Sequence, residues 1–223
     1  MTEDFKKRLL IVEGDDDKFA IAQLMSKYTP WSDNKEEAPV KIQVCGSVSF
    51  ILRKHFIPTT LKSRDVETLG VIIDADENCC GRWETLRRLC IQAFPLLPSE
   101  FPSNGLCVDN EEGKRLGIWI MPDNRSRGMI ETFMTYLIPA GGDDVWRHAQ
   151  RSFDEACSLG AKCRATHKDK ANIFTWLAWQ YPPGQSLGRA IVQNIFDCKS
   201  ETALLFVEWF KRLYDLPDLP TSA

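Results

Sequence analysis

Four short apolar runs constrain this chain more than anything else in it. Residues 8–12, 40–44, 70–73 and 116–121 are each closed by glycine or by acidic residues. Their length and β-branched content favour strands over helices. Near-continuous apolarity in the first, third and fourth predicts strands buried on both faces, as in a parallel sheet. Between the runs, residues 18–28, 47–55 and 83–94 carry helical spacing. Strand alternating with helix predicts an α/β fold, a Rossmann-like and mostly parallel central sheet of about four strands flanked by helices.

Beyond Met121 the strand signal stops. Residues 128–137, 143–157, 168–180, 187–196 and 201–214 read as helices, broken by Pro139-Ala140-Gly141-Gly142 and Tyr181-Pro182-Pro183-Gly184. Asp143 and Ser200 are candidate N-caps. The expected organisation is an α/β domain over residues 1–138 and a helical C-terminal part over 139–223, packed as one unit. Residues 95–114, rich in Pro, Asn, Gly and acid, read as a long surface loop, and residues 215–223 as a frayed tail.

Hydrophobic residues at 43% and aromatics at 10% exclude a mainly disordered chain. With 28 Lys and Arg against 31 Asp and Glu, the net charge of −3 excludes a polycation, so nucleic acid can be bound only through a local patch. No run approaches the ~18 apolar residues that span a bilayer. Residues 1–8 are too acidic for a signal peptide, so a cytoplasmic chain without membrane contact is expected. The 8 cysteines form no CxxC pair, which predicts reduced, mostly buried thiols and no zinc.

The acids fall at strand ends. The first run leads into Glu13-Gly14-Asp15-Asp16-Asp17, the third into Asp74-Ala75-Asp76, and the fourth into Pro122-Asp123-Asn124 with Glu131 beyond Gly128. In a parallel sheet these ends share one edge, where ligands of open α/β sheets bind. Carboxylates gathered there repel one another unless a cation sits among them, and oxygen-only donors select Mg²⁺ or Mn²⁺. Asp15 and Asp16 are explained as helix N-terminal acids facing the macrodipole. Glu13 sits at the end of a buried strand before Gly14, where no helix explains it. Strand alternation would put Asp74 and Asp76 on one side, for which metal ligation is the preferred role. Asp123 serves equally as a turn residue, and Glu131 equally as a helix cap.

The ordered pair Leu10-Ile11-Val12-Glu13-Gly14 and Ile72-Ile73-Asp74-Ala75-Asp76 resembles the Toprim (topoisomerase–primase) family, over residues 8–138. The segments Trp119 to Asn124 and Gly128 to Glu131 resemble a stand-alone prokaryotic branch similar to the OLD nuclease domain. The resemblance implies a metal-dependent nuclease, with Glu13 as general acid/base or metal ligand and Asp74 and Asp76 holding Mg²⁺ or Mn²⁺. It also implies Asp17 and Glu131 as further ligands in a two-metal arrangement. Asn78 departs from the third acid that topoisomerases and primases often carry. No GxxxxGK[ST] loop is present, so an ATPase partner would be a separate chain.

A phosphodiester needs cations beside the metal. Arg82 follows the Asp-x-Asp motif and Arg127 the Pro-Asp-Asn turn, and Lys168 and Lys170 open a helix against the dipole preference. Lys170 is the preferred catalytic cation, neutralising transition-state charge, with Lys168, Arg82 and Arg127 binding phosphate. His55, His148 and His167 share no metal spacing, and Trp176, Trp179 and Trp209 are expected in the core. The expected function is phosphodiester cleavage on nucleic acid, DNA before RNA. A non-catalytic nucleotide- or protein-binding module and a nucleotidyl-transfer or phosphoester enzyme stay open beside it.

Overall fold

The computed structural model describes residues 7–32, 34, 37–141 and 143–220. Its elements run in the order β1 (Arg8–Val12), α1 (Asp15–Met25), β2 (Lys41–Val44), α2 (Val48–Ile51), α3 (Phe56–Lys62), β3 (Thr68–Asp74), α4 (Cys79–Cys90), β4 (Leu106–Asp109) and β5 (Arg115–Met121). Then come α5 (Ile130–Thr135), α6 (Asp143–Ser158), α7 (Lys168–Ala178), α8 (Leu187–Val192) and α9 (Glu201–Tyr214). The fold is α/β. Five strands lie in the order β2-β1-β3-β5-β4, parallel except for β4.

Period-two alternation divides the strands between two cores. Leu10, Val12, Ile72, Trp119 and Met121 face a core shared with α1, α5, α7, α8 and α9. Leu9, Ile11, Val71, Ile73, Ile118 and Ile120 face the other, roofed by α2, α3 and α4. Both faces are covered, which is why β1, β3 and β5 read as continuous apolar runs. Helix α9 lies against the first face. Gly70 and Gly117 are register partners on β3 and β5, and a Cβ on either would collide with Tyr214 or Leu213. The Tyr214 hydroxyl donates to the Leu9 carbonyl at 2.8 Å, and Trp209 Nε1 donates to the Leu106 carbonyl at 2.9 Å.

Several expectations need correction. Residues 95–114 are not all loop, because β4 lies within them as a four-residue antiparallel edge strand. Its hairpin turns on Asn110, whose side chain accepts from the Glu112 and Lys114 amides. So short a strand, flanked by turn residues, carries no periodic signal. Residues 47–55 hold only the single turn of α2, and α3 follows where none was expected. Cys157 and Cys163 are disulfide-bonded, against the expectation of reduced thiols. Cys79, Cys90 and Cys198 are free and buried, and burial pushes the Cys90 thiol up to about 12.

The tail is ordered as far as it is described. Leu216 is buried, the Leu219 amide donates to the Tyr28 carbonyl at 3.1 Å, and Asp215 pairs with Arg115. Residues 221–223, and residues 1–6 with the leader reading placed on them, lie outside the described residues. Ser200 caps α9 by accepting from the Ala203 amide, whereas Asp143 is the first residue of α6 and nothing is described of its side chain. Trp176 and Trp209 are buried, and Trp179 instead stacks on His148 at the surface. Among the described residues no helix is long and apolar enough to cross a membrane.

Candidate acidic site at the strand ends

Glu13 joins three elements at the carboxyl edge of the sheet. It follows β1 directly, so its side chain emerges beside the end of β3. Its Oε1 accepts from the Asp74 amide at 2.9 Å and its Oε2 from the Val48 amide at 2.9 Å, where α2 begins. Burial raises its pKa, the Asp74 amide bond opposes this, and the charge of Asp76 adds to it.

Gly14 caps α1, and its amide donates to Asp17 Oδ2 at 3.0 Å. Asp17 is thereby turned inward, 6% exposed, while Asp15 remains outside. Burial lifts its pKa from 3.8 to about 7, against the Gly14 bond and with help from the charges of Glu13 and Glu131. Asp74 ends β3. Its Oδ1 accepts from the Ile130 amide at 3.0 Å, at the start of α5, and Oδ2 accepts no hydrogen bond among the described residues. Burial and then the charges of Asp17, Glu13, Glu131 and Asp76 hold it well above the usual carboxylate range.

Asp76 corrects the alternation argument. Its φ of 49° is left-handed, so the chain has left the strand before the side chain is placed. Its amide and carbonyl bridge Gly128, and its exposed carboxylate is paired with Arg82. The Arg82 Nε also donates to the Asp74 main-chain carbonyl at 3.2 Å, which ties the guanidinium to the end of β3.

Glu131 lies in the first turn of α5, 2% exposed, and meets Lys170 Nζ at 2.6 Å. Partial burial pulls the Lys170 ammonium down, but Glu131, Asp16 and Asp17 together raise its pKa above the ordinary value. Thus α7, from the helical C-terminal part, reaches back to the sheet edge. A second link holds it there: Thr132 Oγ1 donates to Asp169 Oδ2 at 2.8 Å.

The other expected phosphate contacts are scattered. Lys168 is paired with Asp154 of α6 at 2.7 Å, and Arg127 stands 3.6 Å from Glu77 on the exposed rim. Asp123 is a turn residue, accepting from the Arg125 and Ser126 amides. Sequence reasoning missed Val48, whose amide orients Glu13, and the Thr132–Asp169 tie. Neither has a sequence signal, because one acts through its backbone and the other through a contact between distant segments.

Glu13, Asp17, Asp74 and Glu131 therefore arrive from β1, α1, β3 and α5, and the charges of Glu13 and Glu131 raise the proton affinity of both Asp17 and Asp74. As they stand, no group of three or more His, Cys, Asp or Glu among the described residues is arranged to hold a metal ion. The donor chemistry nevertheless fits a hard divalent cation: oxygen only, multiply anionic and mostly buried. The family described as protein of unknown function (DUF3226) matches residues 7–215. No curated protein and no solved structure matches the chain.

Proposed function

The chain belongs to DUF3226, a family of proteins of unknown function, and we propose that its acidic edge is a Mg²⁺- or Mn²⁺-dependent phosphodiester-cleaving site of Toprim type. The observation that carries this reading is the burial of Asp74, one of its oxygens held by the Ile130 amide, among the charges of Asp17, Glu13 and Glu131. Buried carboxylates in such a group are costly to ionise together, and a divalent cation is the simplest counter-charge. Asp74 Oδ2, Asp17 and Glu131 would hold it. Once bound, such an ion supplies Lewis acidity to a phosphodiester oxygen and lowers the pKa of a water.

The protein's own groups have separable roles. Glu13, its pKa raised, can take or return a proton near the strand ends. Its two backbone hydrogen bonds fix the carboxylate against rotation. Lys170, anchored on Glu131 and half exposed, presents positive charge to an anionic substrate. Arg82 does the same on the Asp76 side. Nucleic acid, DNA before RNA, is the proposed substrate, and an ATPase partner on a separate chain belongs to the same proposal.

A specific observation favours a second reading. Glu13, Asp17, Asp76 and Glu131 each have a protein partner already, and they are not converged on one point. A non-catalytic nucleotide- or protein-binding module needs nothing more. Incubating single- and double-stranded DNA and RNA with the purified chain, with Mn²⁺ or with EDTA, separates the two. The nuclease reading expects Mn²⁺-dependent cleavage that Asp74→Asn abolishes in a normally folded protein. Cleavage that survives this substitution contradicts it.

A further inference from the structure

Away from the acidic edge, a second concave surface lies along the free edge of the sheet. It measures ≈ 740 Å³ and runs between β2 and the α2–α3 segment. Lys41, at the start of β2, and Arg53 and Lys54, between α2 and α3, line it and are exposed. Asp65 is the only acid among its described lining residues. Lys41, Arg53 and Lys54 have no ion pair among the described residues, although the chain as a whole carries a net charge of −3. Cations gathered on an acidic protein without acidic partners fit an anion.

The same groove carries aromatic surface. Phe50 and Phe56 meet edge to face with centroids 4.8 Å apart, and both are half-buried. The Arg53 guanidinium lies over Phe50, 4.5 Å from the ring centroid. A guanidinium over a ring joins it as a stacking platform, and bases stack on arginine as they do on aromatics. Lysines for phosphates beside a stacking surface for bases form the arrangement with which proteins hold single strands. The groove also adjoins the acidic edge through α2, whose first amide is held by Glu13 while Phe50, two residues on, lines the groove.

We propose that this groove binds a short stretch of single-stranded nucleic acid, with phosphates on Lys41 and Lys54 and a base on the Arg53–Phe50 stack. The proposal deepens the phosphodiester-cleaving reading and rests on it for its substrate class, but binding is measurable without cleavage.

The experiment is fluorescence anisotropy in EDTA, with labelled oligothymidylate and oligouridylate of about 12 nucleotides, within the range of single-strand site sizes. Two phosphate contacts at ~0.7 per contact predict a loss of about sevenfold in affinity between about 50 and about 200 mM salt. Lys41→Gln/Arg53→Gln/Lys54→Gln should remove that salt dependence, and Phe50→Leu should weaken binding by about tenfold. Asp74→Asn, which removes cleavage on the proposed function, should bind at least as tightly as the wild type. The two readings can thus fail separately. Unchanged melting curves establish that the groove variants fold. Failure of the wild type to bind either oligonucleotide overturns the proposal, as does affinity unchanged in the triple variant or thymidine monophosphate bound as tightly as the strand. Binding to either oligonucleotide that the triple variant loses supports it, and their ratio identifies DNA or RNA as the source.

Discussion

Asp17 is a carboxylate turned into the protein by the glycine three residues before it. The Gly14 amide holds Oδ2, a Cβ at Gly14 would stand 3.2 Å from that oxygen, and the side chain ends beside Glu13 and Glu131. Its folded-state pKa of about 7 lies above the unfolded value of 3.8, so the folded chain binds the proton more tightly. The resulting stabilisation is complete below the unfolded pKa and is lost as pH rises through about 7. At ~1.4 kcal/mol per pH unit, that loss amounts to about 4 kcal/mol for the metal-free protein. Glu13 and Asp74 shift in the same direction and deepen the decline. Urea unfolding in EDTA from about pH 4 to about pH 8 should show the midpoint falling, and Asp17→Asn should flatten the fall and stabilise the protein at the alkaline end. A wild type as stable at the alkaline end as its Asp17→Asn variant would count against the strained carboxylate group.

At the scale of elements, α9 closes one face of the sheet by lying on the flat spot made by Gly70 and Gly117. Gly70→Ala drives a methyl into Tyr214 and Leu10, and overpacking of this kind should cost about 1–3 kcal/mol, read as a lower melting temperature. The Cys157–Cys163 bridge spans the link between α6 and the turn leading to α7. Closing so short a loop is worth about 2 kcal/mol in the chain-entropy account, so Cys157→Ser/Cys163→Ser should lose that much in denaturant unfolding.

The strands β1, β3 and β5 were legible because burial on both faces leaves continuous apolar runs, and α9 because its capping serine precedes a long amphipathic pattern. The strand β4 was not legible, being four residues at an edge. Glu13 and Asp74 were placed correctly at the strand ends by register alone. Asp76 was not, since its left-handed φ breaks the period on which the expectation rested. The Glu131–Lys170 pair required two helices to be brought together, which no local pattern encodes.

For the whole molecule, the organising feature is an α/β sheet whose parallel strand ends collect acid on an edge reached by both halves of the chain. The helical C-terminal part contributes Lys170 to that edge as well as covering the sheet face. On the proposed function, the repulsion that makes the edge costly to ionise would make it responsive to a divalent cation. Binding should therefore release protons near neutral pH and stabilise the fold. The most direct measurement is Mn²⁺ titration by calorimetry at about pH 7, in two buffers of different ionisation enthalpy, with wild type and Asp74→Asn. The proposed site predicts saturable binding with proton release in the wild type and its loss in the variant. Binding that persists unchanged in Asp74→Asn, or a wild type that takes up no Mn²⁺, contradicts it.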